Sequence, residues 1–244
     1  LWGKTYDTEV IGKMLDDFQQ EKPVIIRCCL NRGTPGELKE RLEAEGVTVV
    51  PHPYLSYAFQ ISGYDHLSEL AAFQEGLFTV QDISSMLVAE IASPEAGARV
   101  IDVCAAPGGK ALHVAEKLLL ANRKMADGNT NGNANGNSTR DIFSHVEARD
   151  LTETKVELIR ENIERTGLTN ISAVCRDASV PDQESVESAD LVIADLPCSG
   201  LGVIGKKPDL KYKASPDGIE SLVRLQREIL SCAQSYVKPG GTLV

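Results

Sequence analysis

The run Arg99-Val-Ile-Asp-Val-Cys-Ala-Ala-Pro-Gly-Gly-Lys110 limits the choice of fold more than any other stretch of this chain. Val100, Ile101 and Val103 read as a short buried strand, and Pro107-Gly108-Gly109 breaks it. Residues 111–120 then have helical spacing and propensity. A strand, a glycine turn and a helix in that order bring unpaired backbone N–H groups to one point, and glycine lets a ligand approach the backbone closely. An ordinary βα turn has the same outline, so the letters of the turn must discriminate. A phosphate-cradling G-x-x-x-x-G-K-[ST] loop would need Gly at 104 and Ser or Thr at 111, where the chain has Cys104 and Ala111. The dinucleotide pattern G-x-G-x-x-G fails as well, because Gly108 and Gly109 are adjacent and no third glycine follows.

Alternation of strand and helix continues beyond this turn. The spacing predicts a strand at 142–148, a helix at 152–165, strands at 171–175 and 190–194, and a helix at 218–236. Such alternation gives a mostly parallel sheet, with ligands beyond the carboxyl ends of the strands. Upstream, a helix is expected over 5–20 and a small α+β unit of strands and helices from 23 to about 71. Residues 73–79 read as a connector, and a helix capped by Asp82 runs through Ala92. The expected division is 1–75 and 76–244. Residues 125–140 are so rich in Asn and Gly that they are expected to form a mobile insert.

Composition removes several classes. At 244 residues and 42% hydrophobic the chain can bury a substantial core. No apolar run approaches a membrane span, so no membrane partner is expected. The six cysteines show no C-x-x-C spacing, no metal site is expected, and a reducing cytoplasmic setting suits them. The net charge of −10 argues against general attraction to nucleic acid. Any RNA contact must therefore come from local basic residues: Arg27, Arg32, Lys39 and Arg41 near the N-terminus, or Lys206, Lys207, Lys211 and Lys213, which have Asp209 as the only acid among them. For Lys39 and Arg41 a solvated helix face is the favoured account over RNA contact.

The strand ends carry carboxylates. Asp150 is placed to accept from ribose hydroxyls, and it is also placed to cap the following helix. Asp177 suits an adenine amino group or a plain loop. Asp195-Leu-Pro-Cys-Ser-Gly200 delivers an acid from a strand end, stiffens the turn with proline, and sets the Cys198 thiol three residues later. A buried small hydrophobe is the competing account of Cys198.

Taken together, Phe78-Thr-Val-Gln-Asp82, Asp102-Val-Cys-Ala-Ala-Pro-Gly-Gly-Lys110, Asp195-Leu-Pro-Cys-Ser-Gly200, Lys207-Pro-Asp-Leu-Lys211, Leu225-Gln-Arg-Glu-Ile-Leu230 and Gly240-Gly-Thr-Leu-Val244 resemble the S-adenosylmethionine-dependent RNA cytosine-C5 methyltransferases, especially those acting on bacterial small-subunit ribosomal RNA. The resemblance spans about residues 22–244. It implies a Rossmann-like class I methyltransferase domain, incomplete at its C-terminus, preceded by a small α+β RNA-binding domain. It also implies that Cys104, Ala105, Ala106, Pro107, Gly108, Gly109 and Lys110 wall the methionine part of S-adenosylmethionine, with Asp150 on the ribose and Asp177 on the adenine. Asp195 would lie between methyl donor and base, Lys110 would hold base and carboxylate, and Arg27 would belong to the RNA-binding unit.

In that family a thiolate adds to carbon 6 of the cytosine before methyl transfer. The attacking cysteine lies in a Thr-Cys pair after Gly-Gly-Thr-Leu-Val, and a second cysteine, here Cys198, assists product release. The chain stops at Val244 and has no Thr-Cys pair, so the expectation is that it binds cofactor without methylating RNA by itself. Two rivals stay open: a non-catalytic RNA-binding or assembly module, and a DNA cytosine methyltransferase with Cys198 as nucleophile.

Overall fold

A computed structural model describes residues 2–20, 23–128, 143–200 and 215–244. These fall into two compact units, one made of residues 1–23 and 197–227, the other of 24–196 and 228–244. In the smaller unit, α1 (Thr8–Gln19) starts at Asp7, whose carboxylate accepts from Val10 N at 2.8 Å. The same unit holds the first part of α7 (Pro216–Ser235).

The larger unit holds two sheets. Strands β1 (Val24–Cys28), β2 (Thr48–Pro51), β3 (Ala58–Ser62) and β4 (Phe78–Val80) form an antiparallel sheet in the order β2-β3-β1-β4. Between them, α2 (Pro35–Ala44) begins with a capping box in which Thr34 and Glu37 satisfy each other's backbone N–H groups. The short α3 (Ala71–Gln74) precedes β4. The span 73–79 is therefore no plain connector: Phe78–Val80 pairs with Ile26–Cys28, and the N-terminal sheet runs past residue 75. Ile26, Leu38, Leu42, Phe59 and Phe78 are its buried core.

After α4 (Ile83–Ala92) comes the second sheet, built from β5 (Arg99–Asp102), β6 (His145–Asp150), β7 (Ile171–Cys175), β8 (Ala189–Ile193) and β9 (Val237–Leu243). Its order is β7-β6-β5-β8-β9 and every pairing is parallel. Helices α5 (Gly109–Gly128) and α6 (Glu153–Thr166) pack on it, and the apolar faces of β5, α5 and β8 are buried together. The Rossmann-like α/β expectation holds. Helix α5 continues through Gly128, into the span expected to be a mobile insert; residues 129–142 lie outside the described residues.

Two strands differ from their expected positions. β6 is shifted to end on Asp150 and buries Arg149, whose guanidinium meets Glu147 at 2.5 Å, Asp182 at 3.2 Å and the Ser185 hydroxyl at 2.6 Å. Paired in this way, an arginine is tolerated in a buried strand. β9, built on Val237-Lys-Pro-Gly-Gly-Thr-Leu243, joins the sheet beside β8 where no strand was expected.

Candidate active site

Reading along the parallel sheet, the strand order reverses between β5 and β8, and a crevice opens there outside their carboxyl ends. Asp102 ends β5, and Asp195 lies two residues beyond β8. Between them Lys110, in the first turn of α5, sends Nζ to Asp195 Oδ2 at 2.6 Å. The recess around this pair is lined by Val80, Gln81, Ser85, Asp102, Cys104–Pro107 and Gly109. Fold and turn chemistry thus bring together the 104–110 loop, Lys110 and Asp195, as the sequence pattern suggested.

The loop is held by the neighbouring strand. Asp150, nearly buried at the end of β6, accepts from Ala106 N at 2.9 Å, from Leu151 N at 2.8 Å and from Lys155 Nζ at 3.0 Å. Ala105 N donates to Arg149 O at 2.8 Å. Gly108 then turns the chain into α5 at φ +106°, a region that L side chains rarely adopt. A Cβ there would also lie 3.2 Å from Leu112 Cδ1, whereas at Gly109 it would make only ordinary contact with Gln81 at 3.9 Å. Gly108 is therefore fixed by conformation, while neither backbone nor packing demands a glycine at 109; the start of the helix there offers N–H groups to a ligand.

Electrostatics set the kind of ligand. Burial pushes the Asp102 carboxyl up to about 7; a bond from Cys104 N and the Lys110 charge oppose this, while Asp195 and Asp150 reinforce it. Burial and the same carboxylates push the Cys104 thiol up to about 12, so at neutral pH it is a neutral wall and no nucleophile. Asp82, Asp102 and Asp195 with Lys110 line the recess, while Asp150, which does not line it, is paired with Lys155; this acid excess suits a ligand that carries positive charge and hydroxyl donors. It repels a polyphosphate, in accord with the failed phosphate-loop pattern. S-adenosylmethionine, with its sulfonium, ammonium and ribose diol, fits this donor set.

Other expected residues are placed differently. Asp177 follows β7 but is exposed, and its Oδ1 accepts from Ser179 N at 2.9 Å and Ser179 Oγ at 2.6 Å, bonds that hold its pKa below the usual range. It does not line the recess. Cys198 is an exposed free thiol of the smaller unit, where Gln226 Nε2 donates to Pro197 O at 2.8 Å. Lys206, Lys207 and Lys211 lie outside the described residues.

Arg27 requires a correction. It is completely buried, donating through Nη1 to Glu116 at 2.8 Å and through Nε to Gln81 Oε1 at 2.8 Å, so no RNA phosphate reaches it. The other basic residues of that region are also engaged. Arg32 donates to the carbonyls of Thr166 and Arg165 at the end of α6, while Lys39 pairs with Glu43 and Arg41 with Glu45 and Glu75.

Gln81 and Asp102 are site residues to which sequence reasoning gave no role. The Gln81 side chain lines the recess, is oriented by Arg27, and keeps a buried Nε2 without a partner among the described residues. The signal for Asp102 was present, since it ends a strand as Asp150 does. For Gln81 the one local sign was its place directly before the Asp82 N-cap.

The chain is similar to ribosomal RNA methyltransferases. Residues 140–244 match the family model described as 16S rRNA methyltransferase RsmB/F. The chain is 34% identical over 233 residues to ribosomal RNA small subunit methyltransferase B of Vibrio cholerae, covering 95% of this chain and 48% of that protein. It is likewise 34% identical over 244 residues to the probable ribosomal RNA small subunit methyltransferase B of Bacillus subtilis, covering 100% of this chain and 49% of that protein. The crystal structure of PH0851 superposes with a TM-score of 0.83 at 27% identity, covering 98% of this chain and 50% of that one. The chain thus spans about half the length of the curated relatives it matches.

Proposed function

The chain belongs to the 16S rRNA methyltransferase RsmB/F family, and from that premise we propose that it serves methyl transfer from S-adenosylmethionine to carbon 5 of a cytosine in small-subunit ribosomal RNA. The observation that carries this assignment is the Lys110 to Asp195 contact of 2.6 Å at the switch point, beside the loop that Asp150 pins. When bound, the cofactor supplies a methyl group on a positively charged sulfur.

The residues of this chain divide the remaining work. Cys104 to Gly109 wall the methionine part, Asp102 in its ionised form faces the cationic groups, and Asp150 accepts from the ribose once Lys155, a half-exposed partner, swings aside. Asp177 reaches the adenine by giving up its local bonds to Ser179. Asp195 takes the N3/N4 edge of the target cytosine, and Lys110 fixes the orientation of both. Carbon 5 of cytosine is a weak nucleophile until a thiolate adds at carbon 6 and a proton donor stabilises charge at N3. Preorganised Asp195 and Lys110 act at that edge in a partly desolvated pocket, where such contacts have their largest effect. Cys198 is assigned to release of the methylated base, and Lys206, Lys207 and Lys211 to the RNA backbone.

The test uses the natural full-length protein with methyl-labelled S-adenosylmethionine and small-subunit ribosomal RNA, digested to nucleosides after reaction. Label in 5-methylcytidine is expected, and Cys198→Ala should accumulate a protein–RNA adduct that survives denaturant. Label confined to another nucleoside contradicts the assignment of carbon 5, and an unmodified release rate in Cys198→Ala contradicts the role of the thiol.

A further inference from the structure

A second recess opens beside the first and has no part in the mechanism above. It measures about 210 Å³ and shares Val80, Pro107 and Gly109 with the reaction recess. Its other walls are mainly apolar, formed by Leu67, Phe73 and Leu112. Sites for drug-sized ligands run from about 300 Å³ upward, so this one suits a single ring system.

Two polar groups mark it as more than a packing defect. Thr79 lines the recess and is nearly buried, yet its hydroxyl has no hydrogen-bond partner among the described residues. A buried hydroxyl left unsatisfied is costly and rare in native proteins, and a ligand with a donor or acceptor in this recess removes the cost. Arg165 stands at the edge. Its guanidinium lies 4.0 Å over the Phe73 ring and donates to the carbonyls of Phe73 and Phe78 and to Asn162 Oδ1. No carboxylate neutralises it among the described residues, so the recess has a net positive rim in a chain of net charge −10.

An apolar slot with one hydroxyl in its wall and a cation at its mouth, sharing Val80, Pro107 and Gly109 with the reaction recess, fits a polyanion whose flat apolar rings project one after another. We propose that this recess receives the unpaired nucleobase next to the target nucleotide on the same RNA strand. The base packs against Leu67 and Leu112, its polar edge meets the Thr79 hydroxyl, and Arg165 faces the linking phosphate. Thr79 and Leu67 then help choose the sequence around the modified base. The proposal rests on the assignment of RNA as substrate.

The probe is a fluorescently labelled nine-nucleotide RNA with a single central cytosine among uridines, compared with the same RNA made abasic on the 5′ or the 3′ side of the cytosine. Binding is measured on the full chain with S-adenosylmethionine present. Loss of one of the two flanking bases should weaken binding about tenfold or more. Leu67→Trp, which fills the recess, should weaken the intact RNA equally and leave no further penalty for the abasic one. Thr79→Val, nearly isosteric, should bind the intact RNA several-fold more weakly with its thermal melt unchanged, which keeps the test valid if Leu67→Trp does not fold. Tight binding that is indifferent to both abasic positions overturns the recess assignment while RNA as substrate stands. No binding to any of the RNAs overturns both.

Discussion

Lys110 Nζ lies 2.6 Å from Asp195 Oδ2, joining the first turn of α5 to the loop after β8 across the point where the strand order reverses. The lysine side chain is 19% exposed and the aspartate 59%. An ion pair this open contributes about 0–1 kcal/mol to stability, so its main effect must lie in the orientation of the two groups. Lys110→Met and Asp195→Asn are each expected to lower kcat of the full-length enzyme by about 10²- to 10⁴-fold. Their thermal unfolding should stay close to that of the unmutated protein. A large drop in Tm with activity preserved would show that the pair is structural.

Asp102 makes cofactor binding depend on pH. Its folded pKa of about 7 lies above the usual carboxylate value near 3.9. Between these two values the native state holds a proton that the unfolded chain has lost. Stability from this group therefore falls as pH rises from about 4 to about 7 and is level above that. A cationic ligand prefers the ionised form, so affinity for S-adenosylmethionine should rise from pH 6 to pH 8 with release of a proton. Calorimetry in buffers of different ionisation enthalpy detects that proton, and Asp102→Asn should abolish both the release and this part of the pH dependence.

Buried charge holds the N-terminal sheet against α5. Arg27 and Glu116 are 2.8 Å apart with side chains 0% and 1% exposed. Arg27→Met leaves a carboxylate buried without its partner and should cost about 3–5 kcal/mol. The double variant Arg27→Met/Glu116→Met should recover most of this loss in urea unfolding. Equal losses in single and double variants would contradict the pairing.

A backbone contact joins the same sheet to α6. Gly76 has φ +72°, and a Cβ there would lie 1.9 Å from Arg165 O. Gly76→Ala should destabilise the protein by more than the roughly 1 kcal/mol typical of a residue change that only affects backbone freedom. Gly46, with φ +83° and open space around it, provides the control: Gly46→Ala should cost less. Thermal denaturation of the two variants side by side decides this.

Much of this architecture was legible because its signals are local. The β5 strand, the glycine turn and α5 are adjacent in sequence, and Asp150 and Asp195 sit at or just beyond the ends of strands. What escaped depends on partners far along the chain. Arg27 reads as a surface cation until Glu116, 89 residues away, is seen to neutralise it. β4 has only three residues and exists through pairing with β1. β9 carries Pro239, Gly240 and Gly241, which argue against a strand, and it is formed by its register with β8. The Gln81 Nε2, left without a partner among the described residues, could not be inferred without the packed interior around it.

The most direct test of the site is calorimetric titration of the chain with S-adenosylmethionine at pH 8, repeated on Asp150→Ala. One binding site is expected, with affinity at least tenfold weaker in the variant, because Asp150 both anchors Ala106 and is assigned to the ribose. No heat from the unmutated chain, or equal affinity in the two proteins, would contradict the account.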